Sequence, residues 1–247
     1  KHRKKRIFQL EQDEGTILGQ ENLKLYITEC YKQLFGPPED NCVSLDESRI
    51  EDVPQLTAVE NDILVAPFSE KEVFEAISQM KNNKAPGLDG FPAVFYKKCC
   101  HIIKGDLLPL FNDLFSGQLH LFQLNFGTIT LLPEKTEAVR IEQFRPICLL
   151  NVSFKIFTKV GTNRLTQIAH AVVQPTQTAF MPDMNILEGV VVLHETLHEI
   201  HTKKLDGVVF KVDFEKAYDK VKWPFLQQAL RMKGFDEAWR RQVESFQ

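Results

Sequence analysis

One carboxylate in this chain stands where it could support metal-dependent chemistry. Asp213 directly follows Val208–Val212, and so apolar a run predicts a central strand that is buried on both faces. A carboxylate at the end of such a strand is well placed to hold a hard divalent cation against a phosphate. An aspartate that caps the following turn is the simpler explanation, and Asp213 taken alone favours it.

A second candidate site is a stretch rich in cations. Between positions 140 and 164 there are five basic residues and one acidic residue, Glu142; the basic ones are Arg140, Arg145, Lys155, Lys159 and Arg164. This pattern suits contact with a nucleic-acid backbone, and a solvated helix face explains it equally well. The planar guanidinium of Arg145 suits two-point contact with a phosphate; alternatively, it forms a surface salt bridge with Glu142 or another neighbour.

The elements that must position these residues include both strands and helices. Thr128–Leu132 is short, β-branched and apolar, which predicts a strand, and Arg145–Leu150 is its expected antiparallel partner. Such a hairpin would present Lys135, Arg140 and Arg145 on one side. Because no regular βαβ order and no internal repeat is visible, the predicted fold class is α+β.

Helical spacing of apolar residues predicts most of the remaining elements. Ser69 with Glu72 three positions later forms a capping box, which marks a helix start. Positions 37–62 hold eight acidic residues and one basic residue, Arg49, so an exposed linker is expected there, with room for a short helix near Leu56. The predicted helices are Leu23–Phe35, Ser69–Asn82, Phe91–Cys100, Leu107–Phe115, Phe154–Val173, Ile186–Ile200 and Pro224–Met232.

Composition narrows the class of protein. A chain of 247 residues has room for one or two domains, and its net charge of −3 is no global signature of nucleic-acid binding. Five cysteines without zinc-site spacing indicate free thiols in a reducing compartment. The apolar runs are too short to span a membrane.

The basic block Lys1–Arg6 indicates nuclear import, nucleic-acid contact or a solvated helix end. An intracellular location is expected, with the nucleus preferred to the cytoplasm.

Several stretches, in order, resemble the reverse transcriptases of non-LTR (LINE-type) retrotransposons, most closely those of plant elements. The stretch FKVDFEKAYDKVKW resembles motif A of that family. Four earlier stretches resemble the motifs that precede it: NKAPGLDGFPAVFYK, ITLLPEK, FRPICLLNVSFKIFTKVGTNRL and VVQPTQTAFMPDMNILEGVVVLHE. The similarity covers Asn83–Trp223, and Ile7–Gly36 resembles the segment that follows the endonuclease in such elements.

The resemblance implies roles for individual residues. Asp213 is similar to the aspartate that ligates both catalytic Mg²⁺ ions, and the carbonyl of Phe214 would face the same ions. Tyr218 resembles the steric gate that excludes a 2′-OH by clash. Arg145 resembles the arginine that holds the triphosphate, and Lys135 would serve the triphosphate or the template. The residues expected to contact the template are Arg140, Lys155, Lys159 and Arg164. Gly87, Asp89 and Gly90 are expected to shape the PGLDG loop.

The implied fold is the right-hand polymerase fold, represented by fingers, an incomplete palm and no thumb. The expected division is a basic segment and helix at 1–36, an acidic linker at 37–68, fingers at 69–205 and the start of the palm at 206–247. The implied partners are an RNA template, a DNA primer and dNTPs, with Mg²⁺ as cofactor.

Some positions depart from the family pattern, and expected motifs are missing. No YxDD or QGxPLSP motif follows Asp213 within the 247 residues. Leu88 stands where proline is usual, Val94 where an acid is usual, and Glu134 where lysine is expected. Asp183 and Met184 replace Gly-Arg. The last three changes remove cations or add anions next to a polyanion, so we expect a truncated and decayed copy without polymerase activity on its own.

Three functional interpretations stay open from the sequence. The first is an inactive fragment of an RNA-directed DNA polymerase, and the second is a nucleic-acid-binding remnant that retains template contacts. The third is an expressed reading frame without a selected role, in which Val208–Val212 would form an exposed strand edge prone to aggregation.

Overall fold

Helices and two small sheets make up the computed structural model, which describes residues 7–36, 44–119, 124–181, 184–214 and 220–246. The four strands are β1 (Gln9–Gln12), β2 (Gly15–Leu18), β3 (Gly127–Pro133) and β4 (Phe144–Leu150). The helices are α1 (Gln20–Phe35), α2 (Ala58–Val65), α3 (Glu70–Gln79), α4 (Ala93–Phe115), α5 (Val152–Val172), α6 (Ile186–Thr202), α7 (Trp223–Met232) and α8 (Glu237–Glu244), with 3₁₀ turns at Glu47–Asp52 and Ile141–Gln143. This mixture agrees with the predicted α+β class.

The main core lies between α3, α4 and α5. Helix α5 contributes five buried residues to it, and the ring centroids of its Phe157 and of Phe111 on α4 lie 4.3 Å apart. Val73, Ala76 and Ile77 of α3 are buried against the same cluster. Burial of so many large side chains stabilises the fold by about 1.5–3 kcal/mol for each one.

The capping box predicted at Ser69 is confirmed. The Ser69 hydroxyl accepts from the amide of Glu72, and the Glu72 carboxylate accepts from the amide of Ser69. The two helices predicted at Phe91–Cys100 and Leu107–Phe115 form one continuous helix, α4, with Pro109 inside it. The helix continues because Leu107, Phe111 and Leu114 are buried at helical spacing on either side of the proline.

A second core joins chain segments that are distant in sequence. Leu56, Leu64, Ile168 and Trp239 are buried together, so α2, α5 and α8 pack on one another. The short helix expected near Leu56 corresponds to α2, which begins at Ala58. Within the described part of 37–62 most side chains are exposed, but Leu56 is buried in this core. Residues 37–43 lie outside the described residues.

A third cluster links the N-terminal hairpin and α1 to the β3–β4 hairpin. Leu10, Leu23 and Tyr31 are buried with Ile141 and Phe144. The amide of Glu11 donates to the carbonyl of Val139 over 2.8 Å. The β1–β2 hairpin, which the sequence did not predict, thus packs on the loop between β3 and β4.

The segment after α6 differs from its prediction. Val208–Val212 was expected to be a buried central strand, but it has no regular secondary structure and its side chains are exposed, with Phe210 at 85%. A strand needs a neighbour to satisfy its backbone groups, and no strand pairs with it among the described residues.

Among the helices that the structure describes, none is long and apolar enough to cross a bilayer.

Candidate nucleic-acid interface

The predicted β3–β4 hairpin is confirmed and carries three of the candidate cations. The strands pair antiparallel, with Leu132 opposite Arg145 and Pro133 opposite Phe144. Lys135 and Arg140 lie in the connection between the strands, and Arg145 lies on β4. The connection, positions 134–143, is closed at its base by the Glu134 amide donating to the carbonyl of Gln143 over 2.9 Å. Lys135 and Arg140 therefore lie at the same end of the hairpin as Arg145.

Arg145 forms an ion pair with Glu134, which stands where the family pattern has lysine. Its Nε lies 3.1 Å from Oε1 of Glu134, and both side chains are largely exposed to solvent. An exposed pair of this kind contributes about 0–1 kcal/mol, so a phosphate can displace it. Glu134 nevertheless competes with any anion for the same guanidinium.

Arg140 is held by acids on two sides. Its Nη2 lies 2.7 Å from Oδ1 of Asp13 in the β1–β2 turn, and its Nε lies 3.7 Å from Glu142. The hydrogen bond and charge of Asp13, with a smaller contribution from Glu142, raise the pKa of Arg140. The N-terminal hairpin therefore neutralises a cation that was predicted to contact the template.

Arg164 does not belong to the interface, and this prediction is corrected. Its side chain is 2% exposed and its guanidinium contacts both oxygens of Glu72, at 2.7 and 3.0 Å. The remaining N–H groups donate to the carbonyls of Leu64, Ala66 and Pro67. The Phe68 ring lies 4.2 Å from the guanidinium carbon. All five donors are used, so no template can reach Arg164 without unfolding this region.

This buried pair also sets the protonation of Glu72. Burial would raise the pKa of Glu72, but hydrogen bonds from Arg164 and Ser69, together with the positive charge of Arg164, lower it to about 2. One carboxylate thus completes the cap of α3 and binds Arg164 on α5, and so joins two core helices.

Lys155 and Lys159 lie one turn apart on α5 and are half-buried. Neither forms an ion pair within the part of the chain that the structure describes. Burial raises the pKa of the nearby Cys148 thiol, and the charge of Lys155 opposes this effect. Lys155 and Lys159 are thus the predicted template contacts that have no acidic partner among the described residues.

The PGLDG loop packs against the start of α5. A Cβ at Gly87 would lie 2.3 Å from Oδ1 of Asn151 and 2.4 Å from its backbone nitrogen, so a side chain has no room there. The Asn151 oxygen accepts from the amide of Asp89 over 3.2 Å, and Asp89 accepts from the amide of Phe91 over 3.0 Å. Gly90 has a φ of 74°, which favours glycine. The predicted roles of Gly90 and Asp89 in loop geometry are confirmed, whereas Gly87 is needed for close approach.

The motif A residues are only partly described. Asp213 and Phe214 lie at the end of the exposed segment that follows α6, and Tyr218 and Asp219 lie outside the described residues. Within the described ranges, no three His, Cys, Asp or Glu side chains come together as a metal site. The described residues therefore do not by themselves form a two-metal site around Asp213.

Comparison with known proteins identifies the family. Residues 132–246 match the family described as reverse transcriptase (RNA-dependent DNA polymerase). This segment, slightly less than half of the chain, is similar to the reverse transcriptase family. The match begins at the end of β3 and includes the rest of the hairpin, α5 and α8. It confirms the resemblance to reverse transcriptases and implies the polymerase fold, while the assignment of residues to fingers and palm stays a prediction.

Relatives of this reverse transcriptase segment come from transposons of the non-LTR type. The chain is 28% identical over 240 residues to the transposon TX1 uncharacterized 149 kDa protein of Xenopus laevis, with 95% of this chain and 18% of that protein covered. It is 27% identical over 175 residues to a probable RNA-directed DNA polymerase from transposon X-element of Drosophila melanogaster, with 66% and 18% covered. It is 26% identical over 168 residues to the retrovirus-related Pol polyprotein from type-1 retrotransposable element R2 of Nasonia vitripennis, with 68% and 16% covered.

The chain spans less than a fifth of the length of these relatives. The particular likeness to plant elements stays a prediction.

The structure also shows basic residues that the sequence reasoning left unused. Positions 80–104 contain five lysines and one acidic residue, Asp89. Two of these lysines, Lys97 and Lys104, line a groove between α3 and α4. Their local charge balance was visible in the sequence, but they were considered only as part of a motif and a helix.

Proposed function

We propose that this chain supplies the fingers and the first part of the palm of a LINE-type RNA-directed DNA polymerase. The observation that carries the proposal is the family match over residues 132–246, which contains the hairpin with Lys135 and Arg145 and the segment with Asp213. Its substrates are an RNA template, a DNA primer and dNTPs. In the reaction, the primer 3′ oxygen bonds to the α-phosphorus of the dNTP, while the bond from that phosphorus to the β-phosphate bridge breaks and pyrophosphate leaves.

The residues of the hairpin have binding roles in this proposal. Arg145 holds the triphosphate through its planar guanidinium, and Lys135 contributes a second positive charge. The 3.1 Å pair with Glu134 must open or share its donors when the triphosphate binds. Tyr218 excludes the ribose 2′-OH by occupying its space, and Lys155 and Lys159 contact the template backbone.

The proposed Mg²⁺ site includes Asp213 and the carbonyl of Phe214. Oxygen ligands of this kind suit Mg²⁺, which supplies charge stabilisation when it is bound. Because the described residues hold no group of three potential ligands, the other ligands of such a site are expected from residues outside the described ranges or from another chain.

The test of the hairpin role is nucleotide affinity. Replacing Glu134 by lysine restores the charge expected in the family and frees Arg145, so Glu134→Lys should bind a fluorescent dNTP about tenfold more tightly. Arg145→Ala should weaken binding by a similar factor. Glu195→Lys is the matched control, since it makes the same charge change on the exposed surface of α6. Equal affinities for Glu134→Lys and Glu195→Lys would refute a specific role for the hairpin.

Primer extension tests the expectation that the chain alone lacks polymerase activity. The reaction contains Mg²⁺, dTTP, a poly(A) template and an oligo(dT) primer. We expect the chain to incorporate no more nucleotide than its Asp213→Ala variant. Incorporation above that control would contradict this expectation and support Asp213 as a catalytic residue.

A second candidate is a nucleic-acid-binding remnant without catalysis. Lys155 and Lys159 on α5 favour it, because neither forms an ion pair with any residue in the described ranges. Binding to single-stranded RNA should then weaken steeply as salt rises, because each neutralised phosphate releases counterions. Absence of RNA binding at low salt would eliminate this candidate.

A further inference from the structure

We propose that the groove between α3 and α4 binds the backbone of single-stranded RNA. The inference rests on the proposed function, because a template strand supplies the polyanion. It adds a contact surface that the motif comparison did not assign. Helix α3 packs on both α4 and α5, and this surface lies on its α4 side.

The groove combines an apolar lining with cations. It has a volume of about 540 Å³; Phe74, Ile77 and Cys100 provide the apolar lining, and Lys97, His101 and Lys104 provide the polar one. Phe74 and Cys100 are half-buried, so part of each is open to a ligand. Single-stranded nucleic acids bind where cations follow the phosphates and an aromatic surface accepts a base.

The basic side chains share one face of α4. Lys97, His101 and Lys104 are separated by four and three positions, the spacing that places helical side chains above one another. They extend about 10 Å along the helix, which matches about three phosphates of a stacked strand at one charge per ~3.4 Å. Two lysine charges about 10 Å apart, with the His101 imidazole between them as a hydrogen-bonding group, suit a strand more than a single small anion.

The acidic groups beside the groove do not neutralise it. Lys104 lies 3.4 Å from Oε1 of Glu70, and both side chains are half exposed. An exposed pair of this kind contributes little and yields to a phosphate. Lys97 has no ion pair within the described ranges, and from Ala93 to Lys104 the sequence of α4 contains no Asp or Glu. Glu75, another acid on α3, accepts a hydrogen bond from Gln79, so among the described residues only Glu70 pairs with a lysine of the groove.

The contrast with the β3–β4 hairpin supports this assignment. In the hairpin, Arg140 and Arg145 each pair with an acid, and Arg164 on α5 is buried. On α4, Lys104 pairs with Glu70, whereas Lys97 is half-buried and forms no ion pair among the described residues. An RNA strand is the favoured occupant over an acidic peptide, because the proposed polymerase function requires a polyanion on the protein surface.

The experiment measures binding of a fluorescent 20-nucleotide oligo(U) by anisotropy between 25 and 200 mM salt. Three double variants are compared: Lys97→Ala with Lys104→Ala on α4, Lys155→Ala with Lys159→Ala on α5, and Lys203→Ala with Lys204→Ala as control. The α4 variant should lose about tenfold in affinity at low salt, and its salt slope should fall by ~1.4, or ~0.7 for each lost phosphate contact. The control should lose less than twofold. Circular dichroism checks that each variant is folded.

The outcomes separate this inference from the proposed function. If the α5 variant loses affinity and the α4 variant matches the control, the groove does not bind RNA, while the proposed polymerase ancestry still stands. Absence of RNA binding by the unmodified chain would also overturn the inference, and the dNTP titration of Glu134→Lys would remain an independent test of the proposed function. Photo-crosslinking of 4-thiouridine RNA should label peptides that contain Phe74 or Cys100.

Discussion

Helices α5 and α6 are similar in length and apolar content, yet they occupy opposite environments. Helix α5 buries ten of its 21 residues against α2, α3, α4 and α8. Helix α6 has 17 residues and none is buried in the described structure. Its valines and leucines, from Leu187 to Leu197, are exposed, as are those of Val208–Val212 behind it.

The difference shows what an apolar pattern specifies. Both sequences form helices at the predicted positions, because helix formation depends on local spacing, capping and propensity. Burial depends on a partner surface, which the pattern of one segment does not contain. The contrast between α5 and α6 is therefore a contrast of tertiary contacts, and it can be tested by paired substitutions.

The largest expected effect is the loss of a core aromatic. Phe157 of α5 is 1% exposed, and Phe157→Ala should lower the free energy of unfolding by about 3–5 kcal/mol. Leu193 of α6 is 47% exposed, and Leu193→Ala should change it by less than about 0.5 kcal/mol. Urea denaturation followed by circular dichroism measures both. A cost above 2 kcal/mol for Leu193→Ala would mean that α6 is packed in solution, and the contrast would fail.

The buried ion pair should have nearly as large an effect. Arg164→Ala leaves the carboxylate of Glu72 and three backbone carbonyls without their donor, so a loss of about 3 kcal/mol is expected. Lys203→Ala, which removes the exposed pair with Glu199 on α6, should cost less than about 0.5 kcal/mol. A double-mutant cycle with Glu72→Gln should give strong coupling for Arg164, and additive energies there would disprove the pairing.

Acid sensitivity should follow from the same residue. The pKa of Glu72 in the folded chain is about 2, below its ordinary value of 4.5, so the folded state binds a proton less readily than the unfolded state. Its stabilisation is complete above pH 4.5 and disappears as pH falls through about 2. The expected loss is on the order of 2 kcal/mol, reduced from the full shift because the side chain is 32% exposed.

Melting temperatures measured from pH 6 to pH 2 test this expectation. The Glu72→Gln variant should show a shallower decline over the same range, since it lacks the titrating group. An identical decline in both proteins would assign the acid sensitivity to other carboxylates.

The smallest expected effect sharpens the comparison at the helix starts. Ser69→Ala removes the cap of α3 inside the packed region and should cost about 1 kcal/mol of global stability. Asn185 caps α6 by accepting from the amide of Leu187 over 3.0 Å. Asn185→Ala should leave global unfolding unchanged and speed amide hydrogen exchange in the first turn of α6 alone. A loss of global stability in Asn185→Ala would instead show that α6 and the core unfold together.

Local signals in the sequence predicted local structure well. The Ser69–Glu72 pattern identified a helix start, and the β-branched run at Thr128–Leu132 identified a strand, because both depend on neighbouring residues. The β1–β2 hairpin was missed because its strands are only four residues long and β1 is mostly polar. Val208–Val212 was assigned to a strand because its residues favour one, but pairing requires a second strand that the described chain does not provide.

The candidate site was harder to predict for an electrostatic reason. The sequence does not distinguish the three arginines Arg140, Arg145 and Arg164 from one another. Their availability to a ligand depends on the acidic residues that the fold places beside them. Asp13 lies 127 positions from Arg140, and Glu72 lies 92 positions from Arg164. A pattern of neighbouring residues cannot reveal contacts between positions so far apart in the sequence. The motif resemblance identified the family and the position of Asp213, but it could not show which cations stay available.

The contact between the N-terminal hairpin and the β3–β4 loop has a consequence for synthesis on the ribosome. Leu10, Leu23 and Tyr31 lack their apolar neighbours Ile141 and Phe144 until those residues have been translated. At about 5–20 residues per second, the 127 positions between Asp13 and Arg140 take roughly 6–25 s to make. During that interval the nascent chain exposes an apolar, aggregation-prone surface. This is the kind of segment that a nascent-chain chaperone would cover.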